Sequence, residues 1–170
     1  MHVTDASPAD RTAIGALLEA AFPSDDEAAL VAALRATPAY DPALELVAIE
    51  AGTVVGHVLF STVTIPGTER PDRHLVLAPL AVRPSRQGEG VGSALVRAGL
   101  DRAGDRGFGS VVLHGAPGYY GRFGFERADG FGLENPFDLP DADFQAVELR
   151  DGALAGAAGP VHYPAPFERL

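Results

Sequence analysis

The chain has 170 residues, of which 46% are hydrophobic and 21% charged, and its formal net charge at pH 7 is -10. This composition is typical of a globular protein, and no run of residues is long and apolar enough to span a membrane. The negative charge disfavours nonspecific electrostatic binding to nucleic acid phosphates. We predict a single domain over residues 1–170, with a core over about 1–150 and a C-terminal tail over 151–170 packed on it. The first residues lack the basic and apolar segments of a signal peptide, which favours a cytoplasmic location.

Two reactive residue types are missing from the sequence. There is no cysteine, and all 13 basic residues are arginine. Without cysteine the chain forms no thioester intermediate, disulfide or thiolate metal cluster. Without lysine it forms no Schiff base and no Walker A loop. The histidines show no paired ligand spacing and residues 141–143 lack the rest of a calcium loop, so we predict no metal.

The first predicted elements along the chain are helices. Ser7 and Pro8 followed by Asp10 are typical of a helix N-terminus, and apolar residues at helical spacing continue to Phe22. A second short helix ends before Pro38, because the residue before a proline disfavours helical geometry. We therefore expect two helices to precede the first strand.

The middle of the chain alternates or runs apolar, as strands do. Strands are predicted at 44–50 and 54–65, joined by a hairpin at Ala51-Gly52, and at 74–82. Pro79 cannot donate to a central ladder, so we expect a bulge or a break in strand pairing there. The later elements are a helix over 90–106, a strand at 111–113, one or two helical turns within 117–123 and a strand at 145–150.

A glycine-rich turn joins the third of these strands to the helix that follows. Gly88, Gly90 and Gly92 allow a sharp turn whose backbone N–H groups point outward at the positive end of the helix, where a phosphate binds without lysine. Two alternatives are open. A nicotinamide site would need an acidic residue at the end of the next strand, where His114 stands. The turn could also be purely structural.

The spacing of Gln87-x-x-Gly90-x-Gly92, followed by Tyr120-Gly-Arg-Phe-Gly124-Phe125, resembles the GNAT superfamily of acetyl-CoA-dependent N-acetyltransferases. Residues 56–61, 115–125 and 161–164 resemble its bacterial YhbS-like branch. The resemblance covers nearly the whole chain. It implies the α/β GNAT acyl-CoA N-acyltransferase fold, a mixed central sheet flanked by helices with a splay between the fourth and fifth strands.

The resemblance also implies acetyl-CoA as co-substrate. By that likeness Leu80, Ala81 and Val82 line the pantetheine arm, and an N–H group near Ala81 or Val82 could polarise the acetyl carbonyl. The residues expected to wrap the pyrophosphate are Gln87, Gly88, Glu89, Gly90, Val91, Gly92 and Ser93. For Arg83 and Arg86 two interpretations remain: each contacts a phosphate directly, or each is a solvated turn residue.

Two side chains are candidates for acid–base chemistry. Tyr120 stands where the family has its general acid, and a phenol there could protonate the departing thiolate of coenzyme A. His114 is a candidate base or acceptor contact, because imidazole titrates near neutral pH. The alternative interpretation is that His114 has a structural role, through packing or hydrogen bonding.

The implied function is an N-acetyltransferase that moves the acetyl group directly to a primary amine in a ternary complex. The acceptor is a small-molecule amine or a protein amine, and an acidic chain favours a cationic one. Nucleic acid and membrane partners are not expected, and a homodimer is the expected assembly because dimers are common among soluble folds. The alternatives are an acyl-CoA-binding or regulatory module with little turnover, and a nicotinamide-binding oxidoreductase.

Overall fold

The computed structural model describes residues 1–169, which contain seven β-strands and four α-helices. The strands are β1 (His2–Asp5), β2 (Glu45–Glu50), β3 (Thr53–Val63), β4 (His74–Val82), β5 (Ser110–His114), β6 (Glu126–Arg127) and β7 (Phe144–Glu148). The helices are α1 (Arg11–Ala21), α2 (Asp26–Leu34), α3 (Val91–Asp105) and α4 (Pro117–Tyr120). Within this part of the chain, no helix has the length and apolar character needed to cross a membrane.

The prediction that two helices come before any strand is wrong. Strand β1 precedes α1 and pairs antiparallel with β2. It is four residues long, and only Val3 among them is even partly buried. A short exposed strand at the end of the strand order gives no apolar alternation, which is the signal from which strands are recognised.

The chain divides into two compact units. The first contains residues 1–61, 78–102 and 165–169, with the strand order β1-β2-β3-β4. Its hairpin between β2 and β3 turns at Ala51 and Gly52, where both φ angles are positive, as a two-residue hairpin loop requires. Helix α3 packs closely on β3, because a Cβ at Gly56 would lie 2.7 Å from Val91 Cγ1.

The second unit contains residues 62–77 and 103–164, with the strand order β4-β5-β7-β6. Strand β4 is parallel to β5, whereas β7 is antiparallel to both β5 and β6. The β4–β5 register covers His74–Val76 and Ser110–Val112, although β5 continues to His114. Pairing thus stops three residues before Pro79, in agreement with the expected break and with the splay between the fourth and fifth strands.

Candidate functional site

One candidate site is the glycine-rich turn between β4 and α3, in the first unit. The turn passes through a short 3-10 segment at Pro84–Arg86 and then through Gly88 and Gly90, whose φ angles are +78° and +89°. Residues other than glycine rarely adopt such angles. A Cβ at either position would meet open space, so the glycines serve the backbone conformation and not close packing.

The backbone of this turn presents a run of unused donors. The first helical hydrogen bond joins the N–H of Ala94 to the carbonyl of Gly90, and none of the N–H groups from residue 88 to residue 93 has an acceptor within residues 1–169. These groups lie at the N-terminus of a 15-residue helix, where the helix dipole favours negative charge. The arrangement is suited to an anion such as a phosphate.

The two arginines beside the turn are engaged within the protein. Arg83 donates from its backbone N–H to Val55 O at 2.8 Å and from its guanidinium to Val54 O at 3.2 Å. Arg86 forms ion pairs with Glu50 and with Glu89. Neither is simply a solvated turn residue, and the charge of Arg86 is balanced by two carboxylates. The unpaired donors of the turn are therefore those of its backbone.

The expected pantetheine-lining residues end strand β4. Strand alternation puts Ala81, which is buried, on one face and Leu80 with Val82, both half-buried, on the other. The side-chain amide of Gln87 donates to Val82 O at 3.3 Å and so links the turn to the strand end.

A second candidate site, in the second unit, contains Tyr120 and His114. Tyr120 ends α4, and its ring lies near those of Tyr119 and Phe125, at centroid distances of 4.9 Å and 5.9 Å. Burial, with a smaller contribution from Tyr119, raises the pKa of Tyr120 to about 12. Its hydroxyl has no hydrogen-bond partner among residues 1–169. The phenol is thus a protonated donor that is available to a ligand.

Gly115 allows the Tyr120 ring to lie against the backbone. A Cβ at this position would lie 2.5 Å from Cε2 of the Tyr120 ring, so the ring packs against the bare backbone immediately after His114. The same residue is held by the amide of Gln145, which donates to Gly115 O at 3.0 Å. The sequence motif marked Gly115 as part of a block but gave no sign that an aromatic ring lies against it.

His114 is half-buried among aromatic rings. Its ring stacks on Phe144 with centroids 4.6 Å apart and meets the edge of Phe137 at 5.7 Å. Nε2 lies 2.9 Å from Oδ1 of Asn135. Burial lowers the pKa of His114, while the hydrogen bond to Asn135 and the charge of Asp143 act in the opposite direction. The ring is therefore mostly neutral at neutral pH. Asn135 was not identified from the sequence, where an Asn-Pro pair indicates only a turn.

A buried polar cluster in the first unit was also missed. Glu45 and His57 are 2% and 0% exposed, and Glu45 Oε2 lies 2.8 Å from His57 Nε2. Arg35 and Tyr40 donate to the same carboxylate at 2.6 Å and 2.7 Å. Burial by itself would raise the pKa of Glu45, but the hydrogen bonds from His57, Arg35 and Tyr40 lower it to about 2. Both oxygens of the Glu45 carboxylate are therefore hydrogen-bonded, whereas Nδ1 of His57 is buried without a partner among the described residues.

Over residues 1–169 no three His, Asp or Glu side chains are grouped so that they could hold a metal ion.

Comparison with known proteins identifies the family. The model of the acetyltransferase (GNAT) family matches residues 12–125. This chain belongs to the GNAT family. It is 39% identical over 164 residues to the uncharacterized N-acetyltransferase YhbS of Escherichia coli K12, a match that covers 96% of each chain. The resemblance to the YhbS-like branch and the assignment as an acyltransferase are therefore confirmed.

Solved structures of GNAT proteins show the same fold. The GNAT family N-acetyltransferase YhbS from Escherichia coli in complex with CoA aligns with a TM-score of 0.92 and 38% identity, over 99% of this chain and 92% of that one. A GNAT family acetyltransferase from Brucella melitensis in complex with acetyl-CoA aligns with a TM-score of 0.76 and 35% identity, over 98% and 97% of the two chains. The predicted fold class is confirmed.

Proposed function

We propose that this GNAT-family enzyme transfers the acetyl group of acetyl-CoA directly to a primary amine in a ternary complex. The balanced reaction converts acetyl-CoA and R–NH3⁺ into R–NH–CO–CH3, CoA–SH and one proton. The carbonyl carbon forms its new bond to nitrogen, and its bond to sulfur breaks. Because the chain has no cysteine, no acyl-enzyme thioester precedes this attack.

The observation that supports donor binding is the run of unpaired N–H groups at residues 88–93. We assign these groups to the pyrophosphate of acetyl-CoA, together with the backbone of Gln87. We assign Leu80, Ala81 and Val82 to the pantetheine arm, with a backbone N–H near Ala81 or Val82 polarising the acetyl carbonyl. The two relatives crystallised with CoA and with acetyl-CoA support this assignment.

Tyr120 is the proposed donor to the sulfur of the leaving group. With a pKa of about 12 the phenol stays protonated at every working pH and has its proton ready when the thiolate forms. A thiol has a pKa near 8.5, so proton transfer from such a phenol to the thiolate is uphill unless the second proton that leaves the nitrogen restores the phenol. We assign His114 as the group that removes the first proton, from the acceptor ammonium, before the nitrogen attacks.

The proposed acceptor is a cationic amine, either a small molecule or an amine of a protein. The chain carries 23 acidic against 13 basic residues, so its field attracts ammonium groups. The enzyme is proposed to act in the cytoplasm as a homodimer, without a nucleic acid or membrane partner. The single-domain assignment over residues 1–170 stays a prediction.

The test is calorimetric titration of the protein with acetyl-CoA, with NADH as the control ligand. We expect micromolar binding of acetyl-CoA alone. Gly90→Ala should weaken the binding of acetyl-CoA roughly fivefold or more. An alanine at positive φ costs about 1 kcal/mol or more, and the unbound loop can relieve this strain by changing conformation, whereas the bound loop cannot. The matched control is Gly104→Ala in α3, where a Cβ meets open space. Binding of NADH in place of acetyl-CoA would contradict the proposal.

Turnover is measured by release of the CoA thiol over a panel of primary amines. Because the chain has no cysteine, a thiol reagent has no background from the protein. Binding without thiol release on any amine would instead identify an acyl-CoA-binding module.

A further inference from the structure

The orientation of the Asn135 side-chain amide is determined by its partners. Nδ2 lies 2.7 Å from Leu139 O and 3.2 Å from Asp141 Oδ1, which are both acceptors. Oδ1 lies 3.1 Å from the backbone N–H of Phe137, which is a donor. Exchanging the oxygen and the nitrogen would oppose donor to donor and acceptor to acceptor at all three contacts. Oδ1 is therefore the atom that faces His114.

This orientation determines the tautomer of His114. An amide oxygen only accepts hydrogen bonds, so Nε2 of His114, at 2.9 Å, carries the hydrogen and donates. In the neutral ring the lone pair then lies on Nδ1. The stack on Phe144 and the edge contact with Phe137 hold the ring plane. Within residues 1–169 no group bonds Nδ1, and the residue keeps part of its surface exposed.

We propose that Asn135 is a positioning residue, which holds His114 as the Nε2–H tautomer so that Nδ1 accepts the proton of the acceptor ammonium. The inference rests on the proposed function and adds the atom that acts as base. In the step, the N–H bond of the ammonium breaks and its proton moves to Nδ1. The freed nitrogen lone pair forms the bond to the acetyl carbon, and the electrons of the C–S bond leave with sulfur. Sulfur takes the proton of Tyr120, the second proton of the nitrogen replaces it on the phenol, and His114 releases the first proton to solvent.

The charges around His114 suit this task. Burial lowers the pKa of His114, so a neutral ring is available at neutral pH. Asp143 raises that pKa through its charge, and Asp141 acts only through the amide of Asn135. Tyr120 of α4, which packs on Gly115, is uncharged at these pH values because its pKa is about 12. No positive group is among the causes that shift His114.

The first test uses ¹⁵N-histidine-labelled full-length protein and reads the tautomer and the titration midpoint of His114 by NMR. His114→Gln assigns the signals among the five histidines. We expect a pyridine-type Nδ1 and a protonated Nε2 in the wild type. Asn135→Ala should give a mixture of tautomers and a lower midpoint, and Asn135→Asp a higher midpoint. Asp138→Ala, an exposed neighbour on the same segment, is the matched control and should change neither.

The second test measures kcat/KM against pH for the acetylation of benzylamine. We expect an acidic limb at the NMR midpoint of His114, moved upward by Asn135→Asp and absent in His114→Gln. Asn135→Ala should lower kcat roughly tenfold, less than His114→Gln, since general-base catalysis contributes roughly 10²–10⁴-fold.

Three results would overturn the inference: a wild-type proton on Nδ1, an Asn135→Ala variant with unchanged tautomer and pH profile, or full turnover by His114→Gln. Failure of acetyl-CoA to bind would count against the proposed function and leave the tautomer measurement standing.

Discussion

Replacing Tyr120 by phenylalanine removes one oxygen and leaves the ring in place. The ring contacts with Gly115, Tyr119 and Phe125 are unchanged in the variant, and the lost hydroxyl bonds no residue of the described chain. We therefore expect the free energy of unfolding to change by about 0.5 kcal/mol or less. The affinity for acetyl-CoA should stay within about twofold, since the phenol acts only when the thiolate forms.

Turnover should fall much more than affinity. A hydrogen bond to a charged group contributes about 1.5–3 kcal/mol, so loss of the bond to the forming thiolate lowers kcat by roughly 10- to 100-fold. Because the pKa of Tyr120 is about 12, the phenol stabilises the thiolate mainly by donating a hydrogen bond, and it gives up its proton completely only when another proton replaces it. The loss of kcat should therefore stay near this range. For the same reason, kcat should show no limb from Tyr120 below about pH 11.

The assay combines thiol release under saturating acetyl-CoA with calorimetric binding of acetyl-CoA to each variant. Tyr119→Phe is the matched control, because it removes a hydroxyl from the adjacent ring, over which the Arg122 guanidinium lies at 4.6 Å. Equal losses of kcat and affinity in Tyr120→Phe would show that the phenol is structural. An unchanged kcat would refute its assignment as the acid.

Three further predictions concern stability, packing and self-modification. Because the folded pKa of Glu45 is about 2 against an ordinary value of 4.5, its contribution of about 3 kcal/mol is present above pH 4.5 and lost as the pH falls towards 2. Glu45→Gln should lack this part of the acid dependence in urea unfolding, and an identical pH profile would contradict the assignment. Gly115→Ala should displace the Tyr120 ring, costing about 1–3 kcal/mol of stability and most of the turnover. The control Gly118→Ala, whose Cβ meets open space, should retain both, and equal effects of the two alanines would exclude the steric explanation. Incubation of this chain with acetyl-CoA should add at most one amine-linked acetyl group, at its N-terminus, because the sequence contains no lysine. Several such groups by intact mass would contradict this.

Much of the fold follows from local patterns. The Ala51-Gly52 hairpin, the start of α3 after the glycine turn and the helical turns at Pro117–Tyr120 agree with the structure, because backbone preference and periodicity act over a few neighbouring residues. Strand β1 was missed because a short exposed strand has no such pattern.

The family, the glycine-rich turn and the candidate tyrosine were predicted from sequence patterns, since each pattern depends on residues close together in the chain. The groups that those residues contact come from distant parts of the chain and are known only from the folded structure. Asn135 reaches His114 from another loop. Glu45 is bonded by Arg35 and Tyr40, which follow α2, and by His57 of β3. Such contacts join residues from separate segments, and no local preference encodes the direction in which a side-chain amide or an imidazole points. The tautomer of His114 and the depressed pKa of Glu45 therefore belong to the folded protein, because both arise from hydrogen bonds that exist only once those segments are packed together.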